Sequence, residues 1–158
     1  MKIKNPLLLI VSIAISNLSG FIGAFATTSS VSTWYVELVK PFFNPPSWIF
    51  GPVWTILYTL MGIALYLIWS KGYNKKNIKS AVNLFLVHLV FNTLWSIIFF
   101  GQKNLGLAFV VITILWLMIA CLIKLFYKLE KKAAYLLLPY IAWVSFASLL
   151  NLSIWWLN

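Results

Sequence analysis

The chain alternates long apolar runs with short polar segments. Each run holds about 20 residues or more, enough for one helix to cross a hydrocarbon core of roughly 30 Å. The runs are continuous and lack the alternation of apolar and polar residues typical of membrane barrel strands. The pattern therefore predicts an all-α fold, an integral membrane bundle of five transmembrane helices in one domain over residues 1–158. The predicted spans are about 6–26, 46–70, 78–100, 105–127 and 133–157, with a lid loop over about 27–45.

Lysine placement predicts how this bundle is oriented. All 12 cationic residues are lysines, the formal net charge is +10, and only Lys40 and Lys103 lie on the side of a five-span bundle that carries the lid. Because cytoplasmic segments are rich in basic residues, we expect a multi-pass cell-membrane protein with a cytoplasmic amino terminus and a non-cytoplasmic lid and carboxyl terminus. Lysines beside membrane spans also disfavour a nucleic-acid partner. The remaining lysines are Lys2, Lys4, Lys71, Lys75, Lys76, Lys79, Lys124, Lys128, Lys131 and Lys132.

The first span partly resembles a secretory signal peptide, since two lysines precede it and Ala24-Phe25-Ala26 fits a cleavage site. Its apolar stretch of about 20 residues is longer than such a peptide usually has, which favours a retained helix. The span also carries Ser12, Ser16 and Gly20 at four-residue spacing. Small residues in such a stripe let helices approach closely in lipid, so this stripe is a candidate dimer interface.

The composition excludes most familiar enzyme chemistry. There is no aspartate, and the only two acids, Glu37 and Glu130, lie in predicted loops, so paired-carboxylate catalysis and a carboxylate proton relay are excluded. One histidine and one cysteine do not make a zinc site, and no glycine-rich phosphate loop is present. Cys121, alone in the fourth span, is predicted to be a small core residue rather than a redox site. We expect no metal and no required cofactor.

An aromatic and proline-rich segment over residues 34–58 leads from the lid into the second span. Its four prolines restrict the backbone and stiffen this connection. Trp54 and Tyr58 follow, one helical turn apart on a single face. A stiff lid that leads to an aromatic face predicts a pocket for a large, flat, apolar ligand.

The third span places His88, Asn92, Trp95 and Phe99 on one helical face. Asn92 lies near mid-span, where an amide needs a partner. It either forms a hydrogen bond between helices or donates to a ligand carbonyl or carboxylate. His88 likewise either bonds a neighbouring helix or serves as an axial haem ligand.

The fifth span places Trp143, Ala147 and Leu150 on one face, one turn beyond Pro139. A proline there frees a backbone carbonyl of the preceding turn. The small side chain of Ala147 beside an indole leaves room either for a neighbouring helix or for the edge of a ligand.

The order of these motifs resembles the TspO/MBR family, also called the translocator protein or peripheral-type benzodiazepine receptor family. The resemblance covers essentially the whole chain. Four stretches carry it: W-Y-x-x-L-x-K-P-x-x-N-P-P-x-W-x-F at Trp34–Phe50, W-T-x-L-Y at Trp54–Tyr58, F-N-T-L-W-S-x-x-F-F-G at Phe91–Gly101, and L-x-P-Y-x-A-W-x-x-F-A-S-x-L-N at Leu137–Asn151.

This resemblance implies a five-helix membrane bundle, often a homodimer, whose first long loop closes over a pocket. It also implies binding of porphyrins such as protoporphyrin IX and haem, and of benzodiazepine-site ligands. Trp54 and Trp143 match the tryptophans implicated in light-dependent porphyrin degradation by some bacterial members. Asn92 matches a polar residue that contacts ligands, and Ala147 matches a small residue beside the pocket. Further lining positions correspond to Tyr35, Pro45, Phe50, Tyr58 and Trp95.

The sequence leaves three functions open. The first is a receptor or carrier for porphyrins, in which Asn92 orients the ligand and Lys40 is the lysine best placed to meet its carboxylates. The second is an enzyme that degrades porphyrin with light and oxygen through Trp54 and Trp143. The third is a structural or regulatory subunit with no ligand of its own. Sterol binding is not expected at the end of the fifth span, because residues 149–156 lack the tyrosine and the basic residue of the pattern found in sterol-binding relatives.

Overall fold

The computed structural model describes residues 5–158 and consists of helices joined by short loops. Lys2 and Lys4, which contribute to the predicted orientation, lie outside the described residues. No strand occurs within residues 5–158, which confirms the all-α prediction, and five helical segments are long and apolar enough to cross a membrane. The helices are α1 (Pro6–Val31), α2 (Trp34–Glu37), α3 (Phe50–Trp69), α4 (Lys76–Ser96), α5 (Leu105–Leu129), α6 (Lys131–Leu136) and α7 (Leu138–Leu157).

The first span is longer than predicted, because α1 continues to Val31 rather than ending near residue 26. The added turn is polar in sequence, yet its hydroxyls bond back to their own helix. Thr27 Oγ1 donates to the Gly23 carbonyl at 3.0 Å, and Thr28 Oγ1 donates to the Ala24 carbonyl at 2.7 Å. Hydroxyls satisfied in this way do not end a helix. The lid is correspondingly shorter and contains α2.

Two spans include turns that differ from the α-helix. A 3-10 turn, Ser47–Ile49, precedes α3, and a π-helical turn, Ile97–Gly101, continues α4. A π-helical turn changes which carbonyls remain free, and such turns are frequent at functional sites. Here the Phe100 carbonyl accepts a hydrogen bond from Ser30 Oγ at 2.8 Å, which ties the end of α1 to the end of the third span.

The helices α1 and α3 pack against each other through small residues. A Cβ added at Gly62 would lie 2.5 Å from the Ile13 Cα and 2.9 Å from the Ser12 carbonyl oxygen. Ser12 and Ser16 are fully buried in this contact. The small-residue stripe is therefore used inside the chain, and the hypothesis that it forms a dimer interface is wrong.

The remaining spans complete a bundle in which α1 packs against α3 and α4, while α5 packs against α4 and α7. Aromatic and branched side chains fill the core, and the rings of Phe85 and Phe126 stack with centroids 6.1 Å apart. Cys121 is exposed on the outside of α5, so the prediction that it belongs to the core is wrong. Its neighbour Leu122 is buried instead, because successive residues of a helix point about 100° apart.

The end of the bundle opposite the lid carries an ion pair between two connections. Lys71 Nζ lies 2.8 Å from Glu130 Oε2, and both side chains are partly exposed. The hydrogen bond from Lys71, followed by its charge, holds the pKa of Glu130 below its ordinary value. The pair therefore contributes stability above the pKa of an unfolded glutamate and loses it as the pH falls through the lowered pKa. Solvent screening keeps this contribution small.

Gly62→Ala should destabilise the bundle, because the new methyl group meets the backbone of α1, which has no rotamer to change. Overpacking typically costs about 1–3 kcal/mol, whereas alanine in place of glycine in a helix otherwise gains about 1 kcal/mol. Thermal unfolding of the purified protein in detergent measures the net change in stability, which is the overpacking cost less the gain in helix propensity. Gly51→Ala is the matched control, because a Cβ at Gly51 meets no atom within 4 Å. Equal unfolding temperatures for the two variants would contradict the described contact.

Candidate ligand-binding site

A cavity of about 430 Å³ lies between α1, α3 and the end of the third span, below the lid. This volume falls in the usual range of small-molecule pockets, roughly 300–1,000 Å³. Its surface is mostly apolar and aromatic, with hydroxyl groups along α1 and at the start of α3. Six of the predicted site residues line it: Tyr35, Phe50, Trp54, Tyr58, Asn92 and Trp95.

Three rings form an aromatic wall. Trp54 stacks on Tyr58 with ring centroids 5.4 Å apart, and the Trp54 and Trp95 centroids are 6.5 Å apart. The predicted common face of Trp54 and Tyr58 is confirmed. The indole of Trp95 is fixed from behind, because its Nε1 donates to Asn151 Oδ1 at 3.1 Å and Asn151 Nδ2 donates to the Leu105 carbonyl at 3.0 Å.

The amide of Asn92 connects three helices at the inner wall of the cavity. Tyr58 Oη donates to Asn92 Oδ1, and Asn92 Nδ2 donates to Tyr140 Oη at 3.0 Å. Only 2% of the Asn92 surface is exposed. The predicted hydrogen bond between helices is confirmed, and it includes both ends of the amide. The same residue borders the cavity, and its Nδ2 donates no second hydrogen bond within residues 5–158.

Two glycines let α1 form the opposite wall. A Cβ at Gly20 would lie 2.3 Å from Cε2 of Tyr58, and one at Gly23 would lie 3.1 Å from the Ser96 Cβ. Ser96 Oγ in turn lies 2.8 Å from Thr27 Oγ1 and donates to the Gly23 carbonyl at 3.1 Å. Sequence reasoning did not place Gly23, Thr27 or Ser96 at the site. The small and hydroxyl residues that recur along α1 are the signal from which this wall could be predicted.

The lid covers one end of the cavity. Tyr35 is 3% exposed, and its hydroxyl donates to Asn44 Oδ1 at 2.7 Å. Burial raises the pKa of Tyr35 to about 12, so the hydroxyl remains a neutral donor at physiological pH. Pro45, a predicted lining residue, does not border the cavity, and its carbonyl accepts a hydrogen bond from Asn44 Nδ2 at 3.1 Å.

The carboxyl-terminal end of α7 fastens the middle of the lid. Val39 N donates to Asn158 Oδ1 at 3.0 Å, and Asn158 Nδ2 donates back to the Val39 carbonyl at 3.0 Å. Lys40 is also engaged, since its Nζ donates to the Val36 and Leu38 carbonyls and lies 5.0 Å from the centroid of the Tyr35 ring. The lysine expected to meet ligand carboxylates therefore binds the lid itself.

Besides Pro45, three predicted site residues lie outside the cavity. Trp143 faces a separate groove between α3 and α7, and its Nε1 is buried without a partner. Its ring centroid lies 6.0 Å from that of Phe50, which does line the cavity. Ala147 is buried in the core beside α3. His88 is fully enclosed, with Nδ1 bonded to the Phe85 carbonyl and Nε2 unpartnered. All three lie among packed helices outside this cavity, and no group of three potential metal ligands occurs within residues 5–158.

Comparison with known proteins identifies the family. The model of the TspO/MBR family matches residues 12–157. The chain belongs to the TspO/MBR family. It is 46% identical over 158 residues to a tryptophan-rich protein TspO from Archaeoglobus fulgidus, covering 98% of this chain and 99% of that protein.

More distant relatives match over similar ranges. A translocator protein from Bos taurus is 36% identical over 141 residues, covering 88% of this chain and 83% of that protein. A tryptophan-rich sensory protein from Cereibacter sphaeroides is 36% identical over 139 residues, covering 86% of this chain and 85% of that protein. With five apolar helices, membership of the TspO/MBR family makes this a multi-pass membrane protein.

Asn92→Leu should destabilise this TspO/MBR protein, because it leaves the buried hydroxyls of Tyr58 and Tyr140 without their partner. An unsatisfied buried polar group costs about 1–3 kcal/mol. Adding Tyr58→Phe and Tyr140→Phe removes the unpaired hydroxyls and should recover much of the loss. Thermal or SDS-induced unfolding measures the series. A triple variant no more stable than Asn92→Leu would show that the hydroxyls do not depend on the amide.

Proposed function

We propose that this protein is a membrane receptor or carrier that binds porphyrins, such as protoporphyrin IX and haem, and related flat ligands of the benzodiazepine-site type. The aromatic wall carries the proposal, since Trp54, Tyr58 and Trp95 adjoin one another along a cavity of about 430 Å³. Aromatic side chains stack favourably on flat ring systems and need no charged partner. A role in transport or sensing also agrees with the names of two relatives, a translocator protein and a tryptophan-rich sensory protein.

Polar groups at the cavity suit a flat ligand with polar substituents. The second N–H of Asn92 is available for a carbonyl or carboxylate of the ligand. Ser32 and Ser47 line the lid end of the cavity with exposed hydroxyls. Lys40 would need to leave two lid carbonyls in order to bind a ligand carboxylate, so hydroxyls and water are the better partners. Most lysines lie at the end of the bundle opposite the lid, and cytoplasmic segments of membrane proteins are rich in lysine. This distribution supports an orientation in which the lid faces away from the cytoplasm.

Trp54→Leu should weaken binding of protoporphyrin IX by about 3- to 10-fold, because one aromatic contact is worth about 0.5–1.5 kcal/mol beyond its area. Trp143→Leu should change the affinity less than about twofold, because Trp143 does not border the cavity. Titration followed by porphyrin absorbance measures both affinities without relying on protein fluorescence. Trp48→Leu, at an exposed tryptophan outside the cavity, is the matched control. Equal affinities for the wild type and Trp54→Leu would contradict the assigned site.

A second candidate function is porphyrin degradation driven by light, with molecular oxygen as the oxidant. The two indoles of Trp54 and Trp95 at the cavity favour it, because an indole can donate an electron to a photo-excited ligand. Illumination of the purified protein with protoporphyrin IX in air tests it. Catalysis predicts a new product spectrum that disappears without oxygen and in Trp54→Phe, but persists in Trp143→Phe. If the pigment bleaches at the same rate with and without the protein, the protein does not catalyse its degradation, and only the receptor or carrier function remains.

A further inference from the structure

The cavity has an opening on its side, between α1 and α3. Most of the residues that both line the cavity and are exposed lie in two rows, one on α1 and one that leads into α3. The α1 row is Phe21, Ala24 and Thr28, and the row leading into α3 is Ser47, Gly51 and Thr55. Spacings of three and four residues place each row on a single helical face. Phe21 is 67% exposed although it borders the cavity, which marks a wide edge.

Contacts restrict the cavity toward both ends of the bundle. Toward the lysine-rich end, Gly62 brings α3 against the backbone of α1. Toward the lid, two hydrogen bonds between Val39 and Asn158 fasten the lid to the end of α7. Movement of the lid away from the bundle would break these bonds, whereas no hydrogen bond joins residues 21–28 of α1 to residues 47–55 across the side opening.

Both helices that border the opening are membrane-spanning segments. The rows lie in the second half of α1 and at the beginning of the second span, so the opening faces the half of the bilayer nearest the lid. The two rows include small residues, Ala24 and Gly51, and a Cβ at Gly51 would meet no atom within 4 Å. A flat molecule dissolved in that leaflet reaches the cavity without passing through water.

We propose that the cavity takes up its ligand sideways from the lid-side leaflet, through the opening between the Phe21–Thr28 row and the Ser47–Thr55 row. This inference rests on the proposed function, and it specifies the ligand as a flat amphiphile that partitions into the bilayer. The apolar ring enters between the helices toward Trp54. The polar substituents remain near Ser32 and Ser47, at the level of the lipid headgroups.

The test measures binding kinetics with protoporphyrin IX by stopped flow, using the full chain in lipid nanodiscs. Gly51→Phe places a ring in the opening, where space is free and the backbone conformation is ordinary. A narrowed route should slow association by about tenfold, within the range over which association rates vary among variants of one site. Ile56→Phe, at an exposed position on the same helix outside the cavity, is the matched control and should bind like the wild type.

Ala24→Phe narrows the opening from the α1 side and should also slow association. It provides an independent test if Gly51→Phe does not fold. Asn158→Ala releases the fastening of the lid and should leave the association rate unchanged. Unchanged association in both phenylalanine variants would overturn the side route, as would faster association in Asn158→Ala. Absence of saturable binding in the wild type would instead refute the proposed function, so the two failures are distinguishable.

Discussion

The side-chain amide of Asn92 is the interaction on which the geometry of the cavity depends. A bilayer core offers no water to an unpaired amide, so the protein must supply its partners. Tyr58 on α3 donates to its oxygen, and its nitrogen donates to Tyr140 on α7. The first of these bonds also fixes the ring on which Trp54 stacks. The orientation of the aromatic wall therefore follows from satisfying a polar group as well as from apolar packing.

The cavity itself results from unequal side-chain sizes along one pair of helices. At Gly62, α3 touches the backbone of α1, whereas at Gly51 nothing lies within 4 Å of an added Cβ. Between these points the Tyr58 ring lies against Gly20 and separates the helices. A helix bends only gently, so contact at one level and separation at another leave a wedge of space. The wedge widens toward the lid, which places the cavity and its side opening in the same half of the bundle.

Much of the fold is predictable from the sequence, because a helix in lipid must be long and apolar throughout. Helical spacing also identifies which side chains share a face, as for Trp54 and Tyr58. Spacing does not identify which neighbouring helix each face meets. For this reason the predicted cavity position of Trp143 differs from the observed one, which is a groove on the other side of Phe50. Cys121 is misplaced for a related reason: α5 is apolar on every side, and its pattern does not distinguish core from lipid. The stripe of small residues on α1 includes Gly20, but the ring that Gly20 contacts belongs to Tyr58 on α3, and helical spacing does not identify that partner.

The position of the opening changes the function expected of the lid. A lid that admits the ligand needs a hinge and contacts that break readily. The observed segment is stiffened by Pro41, Pro45 and Pro46 and is fastened at Val39 to Asn158. The buried Tyr35 hydroxyl gives it another internal hydrogen bond. These features suit a lid that stays in place. If the ligand enters between α1 and α3, as proposed above, the proline-rich segment needs no hinge, and movement is needed only between those two helices.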